Sequence, residues 1–310
     1  MIATVLKATN GLDRDEWLQA RRKGIGGSDA ATVAGVNKWK SPLDLWLEKT
    51  GQVDDKEAGE AAYWGTMMED MVAREFETRS GHKVRRRNAI LRHPEHHFML
   101  ANVDRLIVGC KIGLECKTTS AYNKAEWEDD NIPDAYYIQC QHYMAVTGYK
   151  SWYIAVLIGG NKFRYKEIKR DDELIAKLIE LEAAFWQHVV NGTMPSTDGS
   201  DACGNALLTL YPDSNGEEVL LPDTAEILIR EYESANSEEK AAIERKKAAQ
   251  AALELMLGVN ERGRIGNRIV NWKSVKAAER FDTKLFKVDY PDLAAQYTKL
   301  GEPSRRFSIK

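Results

Sequence analysis

Residues 98–117 read FMLANVDRLIVGCKIGLECK, and the reading of this stretch decides the rest. Its apolar pattern predicts strands over 99–103 and 106–108, a turn near 110–113 and a short strand over 114–117. Asp104, Glu115 and Lys117 then fall at strand ends, where a small hairpin can bring them together. Glu115 and Lys117 are two apart and share one face of a strand. Cys116 points its side chain the other way and leaves its backbone carbonyl free to act as a ligand. Two converging carboxylates are hard oxygen donors suited to Mg2+ or Mn2+, and an ammonium beside them can steer or activate a water. An ordinary surface ion pair at a strand end has the same letters, so the pattern needs support from elsewhere in the chain.

The chain has 310 residues and 43% hydrophobic content, enough for a sizeable core in one domain plus an appendage. Its formal net charge of -3 is unevenly placed. HKVRRR (82–87) and roughly the last fifty residues are basic, whereas 213–239 is rich in Asp and Glu; local basic surfaces of this kind can grip phosphate. The four cysteines form no Cys-X-X-Cys pair, which predicts reduced thiols and a cytosolic setting. The start reads without a signal peptide, and no apolar run approaches the ~20 residues that span a bilayer. A membrane class is excluded on this reading.

Outward from the hairpin, Asp13 predicts the cap of a helix carrying Trp17 inward, followed by GIGGSD (24–29) as a glycine-rich turn into a second helix. Such a junction can offer N–H groups and the Ser28 hydroxyl to an anion, with Arg21 and Arg22 close by, although a glycine turn is often only a turn. Residues 61–80 predict an amphipathic helix that buries Tyr63, Trp64, Met67, Met71, Val72 and Phe76. Glu69 lies at the edge of that stripe, as a solvated acid or as a third carboxylate for the metal site. His93, His96 and His97 read as an ordinary loop. The polar connection after Lys117 holds Lys124 and Trp127, expected near substrate. Pro133 opens a helix on which Gln139 and Tyr143, four apart, are neighbours. Residues 1–193 read as the compact domain, 194–219 as a linker or irregular excursion, and 220–310 as an extension made of a long helix and a basic tail.

Several of these stretches agree with one family. WLQARRKGIGGS (17–28), WGTMME (64–69), Asp104, ECK (115–117) and AYYIQCQHYM (135–144) resemble, in the family's order, the YqaJ-type viral recombinases. Their best-known relative is the lambda phage exonuclease, and they belong to the PD-(D/E)XK superfamily. The resemblance implies an α/β (α+β) fold: a restriction-endonuclease-like core with a central mixed β-sheet flanked by helices, here with a mainly helical C-terminal extension. It further implies that Asp104, Glu115 and the Cys116 carbonyl bind the catalytic Mg2+, for which Mn2+ can substitute. Lys117 would orient or help deprotonate the water, Glu69 would assist a second metal or the water, and Gln139 would complete the site. Arg21 and Ser28 match positions that hold a terminal 5'-phosphate, a role Arg22 could share. The implied activity is 5'-to-3' digestion of double-stranded DNA ends, leaving 3' overhangs for a single-strand annealing protein. The implied assembly is a homo-oligomer, a trimer ring, and the implied setting is the cytoplasm of a bacterial host. The rival expectations are an endonuclease of the same fold and a non-catalytic module that binds DNA ends or an annealing protein.

Overall fold

In the computed structural model the described residues are 3–53, 59–299, 301 and 304–309. The chain divides into two compact units, Met1–Leu210 and Tyr211–Lys310.

The first unit begins with β1 (Thr4–Ala8), α1 (Arg14–Arg22), α2 (Gly27–Val33) and α3 (Pro42–Lys49), followed by α4 (Glu60–Ser80). Local chemistry sets these boundaries. Asp13 accepts the Glu16 N–H at 2.8 Å to start α1. Ser41 and Asp44 satisfy each other's backbone N–H at the head of α3, with Pro42 in the first turn, and Gly81, at φ 76, ends α4. There follow β2 (Val84–Arg86), β3 (Ala89–Arg92), β4 (Leu100–Asn102), β5 (Arg105–Ile107) and β6 (Ile112–Thr119). A 3-10 turn (Ala121–Trp127) and α5 (Asp134–Thr147) lead to β7 (Ser151–Ile158), β8 (Lys162–Lys169), α6 (Asp172–Asn191) and α7 (Asp201–Leu210).

A five-stranded sheet runs in the order β2-β5-β6-β7-β8. Only β6 and β7 are parallel, with Glu115 beside Ile154 and Lys117 beside Val156. Parallel neighbours need a crossover, and α5 supplies it. A second sheet, β1-β3-β4, is antiparallel. The period of two sorts the strand residues between the faces of the main sheet. Trp152, Ile154, Val156 and Ile158 join Tyr143 and Met144 of α5 in the largest buried cluster. On the opposite face Leu114, Ala155 and Ile107 pack with Val72, Ala73 and Phe76 of α4. Leu114 and Cys116 thus face α4, and Glu115 and Lys117 face α5.

Three expectations are corrected. Tyr63, Trp64, Met67 and Met71 are about half exposed, and the residues of α4 buried against the sheet are Val72, Ala73 and Phe76. The linker expected at 194–219 contains α7, whose Cys203 and Ala206 are buried against α3 and α6 in a cluster with Trp46 and Phe185. The compact unit therefore runs to Leu210 rather than stopping at 193. Trp127 is buried and stacks on Tyr136 at 5.6 Å. Val84–Arg86 and Ala89–Arg92 are separate strands, one in each sheet.

The second unit consists of α8 (Ala225–Leu257), the hairpin β9 (Arg262–Ile265) and β10 (Arg268–Asn271), and the short helices α9 (Thr283–Asp289) and α10 (Pro291–Gln296). Along α8 the one buried residue described is Leu257. Tyr232 meets Phe307 edge-on at 5.4 Å. Among the described residues no helix is long and apolar enough to cross a membrane.

Candidate active site

The turn between β4 and β5 carries Asp104, and the middle of β6 carries Glu115 and Lys117. Asp104 Oδ2 accepts the Cys116 N–H at 2.8 Å, which ties the turn to β6 between the other two residues. Lys117 Nζ lies 2.6 Å from Glu115 Oε1 and 4.8 Å from the centre of the Tyr136 ring. From α5, Gln139 Nε2 donates to the same Glu115 oxygen at 2.7 Å and to the Tyr143 hydroxyl at 2.9 Å. Tyr143 in turn donates to the Asn102 carbonyl at 3.0 Å. Glu115 and Gln139 are buried, and Glu115 Oε2 is left without a hydrogen-bond partner.

Electrostatics follow from this crowding. Burial, then the charges of Glu115 and Glu69, push the Asp104 carboxyl well above its ordinary range. Burial works to lower the Lys117 pKa, but the charges of Glu115 and Asp104 outweigh it, so the amine is held firmly protonated. Burial also raises the Cys116 thiol, with Asp104 and Glu115 adding to the effect.

Glu69, on α4, reaches the group through a residue that sequence reasoning missed. The buried guanidinium of Arg105 donates to Glu69, to the Asp104 carbonyl at 2.7 Å and to Asp70 at 2.5 Å; Asp70 also holds Arg86 at 2.5 Å. An Arg next to the Asp of a strand-end motif gives no period or spacing signal. Its role is visible only once α4 lies over the sheet. Tyr136, which underlies the Lys117 ammonium, was likewise legible only as one residue of a matched stretch.

No three His, Cys, Asp or Glu residues among those described form a ready metal cage. The donor chemistry nonetheless fits a hard divalent cation. Two carboxylates converge, one buried carboxylate oxygen lacks a partner, and a carboxyl is pushed upward by burial and by its acidic neighbours, which is the state a cation would relieve. Mg2+ commonly takes only one or two protein carboxylates and keeps water for the remainder.

Arg21 and Ser28 are brought together as well: Arg21 Nη2 donates to Ser28 Oγ at 3.2 Å. They line a cavity of about 190 Å3 with Arg22, Asn37, Lys40 and Lys49. Asp29 organises it, receiving Lys49 at 2.7 Å, Arg21 at 3.8 Å and the Gly26 N–H at 3.0 Å. Lys49 and Arg21 hold the buried Asp29 carboxyl far below its ordinary pKa against the effect of burial. Gly27 connects this pocket with the carboxylates, because α2 presses on α5 there. A Cβ on Gly27 would sit 2.5 Å from the Tyr143 ring and 3.1 Å from Gln139 Cγ.

Comparison with known proteins gives three results. Residues 16–150 match the model of a YqaJ-like viral recombinase domain. The chain is 48% identical to the uncharacterized protein YqaJ of Bacillus subtilis (strain 168), over 99% of this chain and 98% of that protein. Among solved structures it is similar to LHK-Exo in complex with dAMP, an alkaline exonuclease of Laribacter hongkongensis. That similarity has a TM-score of 0.50 and 22% identity, and covers 57% of this chain and 93% of the other. The mixed sheet with helices on both faces is the fold of PD-(D/E)XK-type exonucleases.

Proposed function

The chain belongs to the family of YqaJ-like viral recombinases, and from that premise we propose that it is a metal-dependent deoxyribonuclease that digests double-stranded DNA from 5'-phosphorylated ends. The observation that carries the proposal is the Glu115 carboxylate: one oxygen is fixed by Lys117 and Gln139, the other is buried and unpartnered, and its charge acts on the Asp104 carboxyl. Asp104, Glu115 and the Cys116 carbonyl would hold Mg2+, or Mn2+ in its place, with Glu69 available to a second ion. When bound, such ions supply Lewis-acid stabilisation of a phosphoryl group and a lowered water pKa.

The chain's own residues do the remainder. Lys117, kept protonated by its two carboxylate neighbours, donates a hydrogen bond to the attacking water or to a non-bridging phosphate oxygen and fixes its orientation. Gln139 stops Glu115 from rotating, and Arg105 keeps Glu69 on the sheet side of α4. Arg21 and Ser28, with Arg22 beside them, offer a charged donor and a hydroxyl to a terminal phosphate, which would set the register of the scissile bond. In this reading the working species is a homo-oligomer, a trimer, acting in the cytoplasm of a bacterial host. The 3' overhang passes to a single-strand annealing protein.

The test uses linear, nicked and covalently closed circular duplexes with and without Mg2+. The reading expects loss of linear DNA only, as 5'-mononucleotides, and none from Asp104→Ala or Glu115→Ala. A closed circle that is cut would make the protein an endonuclease. Digestion by either variant at the wild-type rate would remove the site assignment. Separately, Arg21→Ala should erase a preference for 5'-phosphate over 5'-hydroxyl ends, measured as a ratio of initial rates; a preserved ratio would remove the phosphate pocket.

A further inference from the structure

We propose that the β9–β10 ribbon of the second unit is a sequence-independent grip on the duplex DNA backbone. From Arg262 to Ala278 the chain carries Arg262, Arg264, Arg268, Lys273 and Lys276 and no acid, in a protein whose net charge is -3. All five are exposed, and among the described residues none is ion-paired. Their described bonds are two weak ones, Arg262 Nε to Asn271 Oδ1 at 3.3 Å and Arg264 Nε to the Gly266 carbonyl at 3.2 Å. Some surface cations elsewhere are neutralised by an acid on their own helix, as with Arg79 and Glu75, Lys124 and Glu128, or Arg230 and Glu226. A cluster of cations left uncompensated is the footprint of a polyanion.

The ribbon's geometry favours a duplex over a flat acidic surface. Register pairs Arg262 with Asn271, Arg264 with Ile269, and Ile265 with Arg268. Arg262 and Arg264 therefore share one face, ~6.8 Å apart, and Arg268 belongs to the opposite face. A two-stranded ribbon fits the major groove, and cations on both faces meet phosphates on both walls. Trp272, about half exposed and hydrogen-bonded through its backbone N–H to the Glu261 carbonyl, closes the base of the ribbon and adds an aromatic face beside the cations. Duplex DNA as the polyanion rests on the functional reading above; the ribbon's charge and shape do not.

The experiment measures binding of the full-length chain to a 5'-hydroxyl duplex by fluorescence anisotropy, with EDTA present so that nothing is digested, across about 50–200 mM salt. Arg262→Gln/Arg264→Gln/Arg268→Gln should weaken binding at least ~tenfold at the low-salt end. It should also reduce the slope of log K against log salt by ~0.9 for each phosphate that the removed cations had neutralised, up to ~2.7. Lys273→Gln/Lys276→Gln, farther from the fold of the hairpin, should act in the same direction by up to ~1.8. Helical circular dichroism of both variants serves as the folding control. Wild-type affinity and slope in both would overturn the proposal, and so would an unchanged slope with a drop in sedimenting mass, which would make the ribbon a contact between copies. A chain that binds through the ribbon but digests no linear duplex would leave this proposal standing and remove the nuclease reading.

Discussion

Replacing Gly27 with Ala tests the junction between the two halves of the candidate site with a single methyl. The added Cβ would lie 2.5 and 2.8 Å from two atoms of the Tyr143 ring. Carbon atoms in contact prefer ~3.5–4.0 Å, so about 1 Å of separation is missing. Tyr143 cannot yield it. The ring is buried against Trp152 at 5.2 Å, and its hydroxyl is engaged by both Gln139 and the Asn102 carbonyl. The movement must fall on α2, which carries Ser28, or on Gln139, which holds Glu115. Overpacking of this kind costs ~1–3 kcal/mol, a fall in melting temperature of ~2–12 °C for a unit of this size. A displacement near 1 Å at a reacting centre lowers the rate ~10²-fold. Differential scanning fluorimetry and initial digestion rates on 5'-phosphorylated linear duplex measure the two effects. Gly204→Ala, in α7 with no atom within 4 Å of the new methyl, is the comparator and should stabilise by ~0.5–1 kcal/mol. A Gly27→Ala protein that melts and digests like the wild type would refute the close approach of α2 to α5 and the coupling drawn from it.

Further expectations concern the supporting groups. Arg105→Met removes the tie between α4 and the sheet and should lower the urea midpoint by the equivalent of ~1–3 kcal/mol, since Glu69 and Asp70 are partly open to water and lose less than buried partners would; an unchanged midpoint would deny that the tie matters. The buried pair of His142 and Glu182, 2.8 Å apart, gives a pH dependence. Burial lowers the His142 pKa, but the Glu182 charge and the hydrogen bonds outweigh it, and the net direction is upward from 6.5. That stabilisation is full below about 6.5 and is lost as pH rises through the folded value. Burial raises the Glu182 pKa above 4.5, so that group also loses stability as pH rises. Melting temperature should therefore decline as pH rises past about 6.5, and His142→Gln/Glu182→Gln should flatten the decline; equal slopes in the two proteins would contradict it.

What was legible in the sequence was local. Glu115 and Lys117 announce a shared face by being two apart, and Gln139 and Tyr143 announce a shared side of a helix by being four apart. Those relations hold wherever the elements are packed. Asp104 followed from its place at a strand end. The misreadings came from packing, which has no local signal. Tyr63, Trp64, Met67 and Met71 keep perfect helical spacing yet stay half exposed, since periodicity gives a stripe without saying how far the neighbouring sheet extends. The helix Asp201–Leu210 was hidden by Pro, Gly and Ser around it, although Cys203 and Ala206 are buried. Arg105 and the Lys49–Asp29 pair were invisible because their partners lie tens of residues away.

The parallel pairing of β6 with β7 has a consequence for how this protein can diverge. Glu115, Lys117 and Gln139 all belong to one strand–helix–strand crossover, whose handedness and spacing are fixed by the sheet itself. That segment is one structural block, and the acids contributed by Asp104 and Glu69 dock onto it from outside. Insertions or losses in the pieces around the block would leave the arrangement of amine, carboxylate and amide in place.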